Sequence, residues 1–133
     1  MATTSCINDI DLKPISKLVK LNLTNSNIDL EFAENLYRTF LLLHKYYPNQ
    51  KLVPSVEMDI FWHNHILHSR KYFEDCNNFF GCYLHHHPEI SIKNKREHES
   101  HFANTMVLIK KHFNEICATK RIDVEKFNGC VCS

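Results

Sequence analysis

Between Val53 and Pro88 the chain reads VPSVEMDIFWHNHILHSRKYFEDCNNFFGCYLHHHP, and this stretch holds six of its ten histidines, its only tryptophan and two of its six cysteines. Imidazole is the commonest protein ligand for zinc and related ions, so the density first suggests a metal. Spacing limits that idea. On a helix, residues two apart point about 200° from one another, so His63 and His65 cannot hold one ion together. Asp59 and His63 are four apart and share a face, which suits a metal-binding imidazole with a carboxylate behind it and suits a plain buried hydrogen bond equally. An ion at His63 would need ligands from another segment. The candidates are His85, His86 or His87 after the Gly81 turn, with Cys76 or Cys82 as a thiolate. The metal set is therefore His63, His85, His86 and Cys76, for zinc or a similar divalent ion. The paired C-x-x-C and H-x-x-x-H spacing of familiar zinc sites is absent.

The competing reading is structural. Asp59, His63, Trp62 and Tyr72 would tie a helical hairpin together by hydrogen bonds, and His65, on the side of Met58, Trp62 and Ser69, would pack against aromatics. Gly81 would end the second helix of the hairpin, and HHH would be a solvated helix end. A third reading makes Cys76 or Cys82 a nucleophile, with a histidine base oriented by Asp59 or Asp75. Against it, Cys76 lies on a stripe with Tyr72, Phe73, Phe79 and Phe80. A thiol buried there has a raised pKa and little thiolate. No phosphate-cradling glycine loop, serine elbow or H-E-x-x-H occurs, which weighs against an enzyme.

The elements that must position these residues read as helices throughout, with no convincing strand. Leu12, Ile15, Leu18 and Val19 repeat at helical spacing behind Asp11 as a cap and Pro14 in the first turn. A second helix runs from a cap at Asn27 to about Tyr46, with Ala33, Leu36, Tyr37, Phe40, Leu41 and His44 on one stripe and Pro48 closing it. Ser55 caps a third helix through about Leu67, and Ser69 caps a fourth that ends near Gly81. The last runs from about Lys93 to Cys117, where Phe102, Met106, Ile109, Phe113 and Ile116 alternate steps of four and three; that stripe suits a core face and also a homodimer seam. Residues from about 118 to 133 read as a tail. The expected fold is all-α, a single compact bundle of about five helices around a central helical hairpin.

At 133 residues the chain suits one domain, and a net charge of +1 gives no broad attraction to nucleic acid or anionic lipid. No segment approaches the ~18 apolar residues of a membrane span, and MATTSCINDIDLK lacks the features of a secretory leader. The six cysteines are scattered, and we read them as thiols of a reducing compartment, either the cytoplasm or a host cytosol into which the protein is delivered. Cys76 and Cys117 are expected to be buried, and Cys130 and Cys132 to sit in an exposed tail.

Pro54, Ser55, Val56, Asp59, Trp62, His63, His65, Tyr72, Asp75, Cys76, Phe80, Gly81, Leu84, His85 and Pro88 follow a pattern that resembles the glycine-rich-domain-containing-protein-like family over about Val53 to Pro88. Some relatives in that family carry a glycine- and cysteine-rich tail, whereas this chain has two glycines in all. The resemblance bears on fold and site more than on function, because the family carries no settled activity. The function expected from the residues is a noncatalytic helical module that regulates, recruits or inhibits another protein. Its expected contact points are Tyr46 and Tyr47 beside Pro48, and the basic run from Ile92 to Arg96. The alternative is a zinc-like metal-binding domain or metal-dependent enzyme using the histidine-rich hairpin.

Overall fold

The computed structural model describes residues 6–23, 27–86 and 95–119, with side chains as far as 116. A short 3-10 turn, Ile7–Asp9, leads into α1 (Lys13–Asn22), where Pro14 occupies the first turn and Ile15 and Val19 are buried. Asp11 stands one residue too early to cap. Its carboxylate accepts from the Lys13 N–H at 3.1 Å, and Leu12 takes the cap position. The next helix, α2 (Leu30–Tyr46), is capped by Asp29, whose Oδ1 accepts from the Phe32 N–H at 3.1 Å; the expected cap at Asn27 is two residues upstream. Asp29 and Glu31 also place negative charge at the positive end of the helix dipole.

Every residue of α2 from Asn35 to Leu43 is buried. A helix buried all round is the centre of a bundle rather than a face of it. α2 packs against α3 (Val56–Leu67), α5 (Lys95–Thr119) and the N-terminal turn, while α1 packs on α3. Two polar side chains inside this layer find backbone acceptors: Thr39 donates to the Asn35 carbonyl at 2.7 Å, and Arg38 donates through Nη1 to the carbonyls of Ile7 and Ile10 at 2.9 and 2.8 Å, while its buried Nε has no partner among the described residues.

Ser55 caps α3 as expected, its Oγ accepting from the Met58 N–H at 3.3 Å. α4 (Ser69–Phe80) follows after a single residue, His68, so Ser69 is the first residue of the helix and not its cap. The helix ends at Gly81, which adopts a left-handed φ of 78° and donates its N–H to the Cys76 and Asn77 carbonyls. A Cβ built at Gly81 would meet nothing within 4 Å, so the requirement for glycine is one of backbone conformation and not of space. α5 is described from Lys95, and its expected start near Lys93 lies outside the described residues. It buries Ile109 and Ile116 and packs Met106 and Phe113 partly against the core. The described residues form an all-α bundle of five helices without a strand, and none of those helices is long and apolar enough to cross a membrane. The segment from 120 to 133, with Cys130 and Cys132, lies outside the described residues, as does the side chain of Cys117.

Candidate functional site

The hairpin of α3 and α4 is held by two polar networks. In the first, the Trp62 Nε1–H donates to the Tyr72 hydroxyl at 2.9 Å, and that hydroxyl donates onward to the Leu84 carbonyl. Tyr72 thus fixes the chain that leaves Gly81 against the hairpin. In the second, His65 bridges α2 and α4: its Nε2 lies 2.8 Å from Asp75 Oδ2 and its Nδ1 2.8 Å from the Tyr37 hydroxyl. The carboxylate can only accept, so Nε2 carries the proton and Nδ1 accepts from Tyr37. Burial first holds His65 below the ordinary histidine pKa, although Asp75 pulls the other way, and the neutral form matches this tautomer. The Tyr37 hydroxyl is pushed well above its usual pKa, chiefly by burial. Lys71 completes the chain with an ion pair to Asp75 at 3.1 Å.

His65 packs edge-on against Tyr37 and Tyr72, as its register indicated. His63 does not behave as expected. It is exposed, and Asp59 pairs instead with His86, at 2.9 Å between Oδ1 and Nε2, across 27 residues. The sharing of a helix face by Asp59 and His63 gave no bond, because that face is turned outward and the strap beyond Gly81 brings a competing imidazole onto Asp59. Nor are His85 and His86 part of a helix end: α4 stops at Phe80, and residues 83–86 form a strap without regular secondary structure. His87 lies outside the described residues.

The strap closes one side of a cleft of about 780 Å³. The other walls are the end of α2 at His44, the loop from Lys51 to Ser55, the first turns of α3 with Asp59 and Trp62, and His98 near the start of α5. The loop is pinned to α5 by Thr105, whose hydroxyl accepts from the Val53 N–H at 3.0 Å and donates to the His101 carbonyl at 2.8 Å. The His86 ring stacks on Trp62, with centroids 4.1 Å apart and planes 5° from parallel, while His44 and Phe40 meet the same indole edge-on at 5.5 and 5.1 Å. His44 donates Nδ1–H to the Phe40 carbonyl at 3.0 Å. Its pKa is lowered first by burial and then by His86, against the effect of that carbonyl.

The four proposed metal ligands are not gathered. His63 points to solvent, His85 is exposed with its ring against Tyr83, His86 is engaged by Asp59 and Trp62, and Cys76 is buried in the core on the Tyr72 side of α4. Among the described residues no three His, Cys, Asp or Glu side chains converge as ion ligands. Burial raises the Cys76 thiol, as the stripe implied; Phe73 of the same stripe is 54% exposed, and Cys82 is exposed. Tyr46 and Tyr47 are also not free contact points. The Tyr47 hydroxyl lies 2.8 Å from His112 Nε2, and the Tyr46 ring packs on the same histidine. Of the basic run, Lys95 and Arg96 are exposed and 92–94 lie outside the described residues. His44 was visible in the sequence only as a member of a helical stripe. Nothing in its local spacing indicated that it would share a cleft with residues from the loop, the strap and α5.

No curated protein matches the chain, and no solved structure does. The UCP032817-like family model matches residues 6–129, from the N-terminal turn through the whole helical bundle. The chain therefore belongs to the UCP032817-like family.

Proposed function

We propose that the protein is a noncatalytic binding module that regulates, recruits or inhibits a partner protein, and that the cleft beside Trp62 is where the partner is recognised. The observation that carries this reading is a preformed concavity with apolar walls and a few polar groups held in place by hydrogen bonds, which can seat a partner's side chains without first being ordered. Tyr72 and Thr105 anchor two of its walls, so binding there would order little of the protein. The closeness of the Val53 to Pro88 pattern to the glycine-rich-domain-containing-protein-like family is compatible with such a role and is proposed with it. The runner-up, a zinc-like site or metal-dependent enzyme, has residue density in its favour without convergence among the described side chains.

The reading is tested by introducing one charge into the cleft and one elsewhere. Val56 lines the cleft and is 71% exposed, and Phe73 is an exposed apolar residue on α4 outside it. Partners crosslinked to the purified protein should be lost with Val56→Glu and kept with Phe73→Glu, both variants melting like the parent. Loss with Phe73→Glu alone would move the recognition surface to α4 and refute the cleft.

A further inference from the structure

Groups able to carry positive charge outnumber carboxylates on the cleft walls. Lys51 from the loop, His44 from α2, His85 and His86 from the strap and His98 from α5 line it, against the single carboxylate of Asp59 on α3. That carboxylate already accepts from His86. Alongside lie the aliphatic side chains of Leu52, Val53 and Val56. A groove that offers cations and imidazoles next to aliphatic surface complements a chain that alternates carboxylate and aliphatic side chains, and it repels a basic one.

We propose that the cleft recognises an acidic, aliphatic segment of a partner protein, and that His44 takes up a proton as the partner's carboxylates enter. This rests on the reading of the cleft as a protein-binding site. His44 is the group best placed for proton uptake. Its Nδ1–H is committed to the Phe40 carbonyl, so a proton would be added at Nε2, and its neighbourhood without a ligand disfavours the charged ring through burial and His86. An entering carboxylate reverses that balance, because an opposite charge at close range stabilises imidazolium. Binding that takes up a proton strengthens as pH falls, by up to about tenfold per pH unit for each proton.

The experiment uses the full chain and two labelled, end-blocked peptides, one alternating leucine with glutamate and the other leucine with glutamine. Affinity is read by fluorescence anisotropy at about pH 6 and about pH 8, either side of the ordinary histidine pKa. Emission of Trp62, the chain's only tryptophan, is followed in parallel because His86 lies flat against it. The glutamate peptide should bind about tenfold tighter than its partner at the lower pH, and about tenfold more weakly at the higher pH. Lys51→Glu, a change at an exposed loop residue, should weaken the glutamate peptide selectively and leave the melting temperature unchanged. Equal, pH-independent binding of both peptides with a Trp62 response would overturn the acidic preference and leave the cleft as a binding site. Binding of neither peptide, with no Trp62 response, would count against the cleft itself. Displacement of the glutamate peptide by millimolar acetate or inorganic phosphate would assign the site to small anions and overturn the peptide proposal.

Discussion

Replacing Tyr72 by phenylalanine keeps the ring and removes one oxygen, and that oxygen joins Trp62 to the strap by hydrogen bonds. The hydroxyl accepts from Trp62 Nε1–H and donates to the Leu84 carbonyl. In the variant the indole N–H is a buried donor with no acceptor, which costs about 1–3 kcal/mol, and the half-buried carbonyl loses its donor at about 0.5–1.5 kcal/mol. A total near 2–4 kcal/mol is a large share of the stability of a domain of this size, and lowers the melting temperature by roughly 6–20 °C. The assay is urea unfolding followed by far-ultraviolet circular dichroism, with Trp62 emission recorded on the same samples. Because the strap is released, emission in the native baseline should also shift as His86 leaves the indole. Tyr83→Phe is the control: that ring packs on Tyr72 but is exposed, and its loss of a hydroxyl should cost less than about 0.5 kcal/mol. A Tyr72→Phe variant within about 0.5 kcal/mol of the parent, with unchanged native emission, would refute the claim that this hydroxyl seats the strap.

The two histidines of WHNH should separate sharply in chemical unfolding: His63→Ala should change stability by less than about 0.5 kcal/mol, whereas His65→Ala, which leaves the buried Tyr37 hydroxyl without its acceptor and Asp75 with Lys71 alone, should cost more than about 2 kcal/mol. Acidification should destabilise the fold, since His44 and His65 both have pKa values lowered by burial and are therefore protonated more readily when unfolded. Their contribution is complete above the unfolded value near 6.5 and is lost as pH falls below it, at up to about 2.7 kcal/mol per pH unit for the pair; a urea midpoint that rises or stays flat between about pH 7 and pH 5 would contradict this. Under native conditions Cys82 should react with a thiol reagent much faster than Cys76, whose thiol is buried and raised in pKa; mass spectrometry showing Cys76 modified first would point to an activated thiol instead.

Local patterns carried the helices well. Periodic apolar residues identified all five, and Ser55 and Gly81 marked two of their ends because a cap and a left-handed glycine depend only on neighbouring residues. Asp29 outcompeted Asn27 through a difference of two residues, the scale at which helix starts are ambiguous in sequence. The site was less legible because its bonds are long-range. Asp59 had a suitable imidazole one helical turn away at His63 and chose another 27 residues on, and His65 found its carboxylate on the next helix at Asp75. Both outcomes depend on how α3 is rotated about its axis, which is fixed by packing against α1, α2 and α4. Local spacing sees the face a residue occupies but not the neighbour that face will meet.

Arg38 bears on the order in which the chain can become stable. Its guanidinium sits in the middle of α2, nearly inaccessible, and is neutralised by Glu34 while donating to the Ile7 and Ile10 carbonyls, 31 and 28 residues upstream. Until the N-terminal turn docks, that cation has only one carboxylate to offset the loss of water around it, so α2 cannot be fully enclosed. The N-terminal turn therefore acts as a stopper on the central helix: peeling it away uncaps a charge in the interior. A domain closed in this way resists gradual fraying from its N-terminal end, because detaching a three-residue turn carries a cost set by the core.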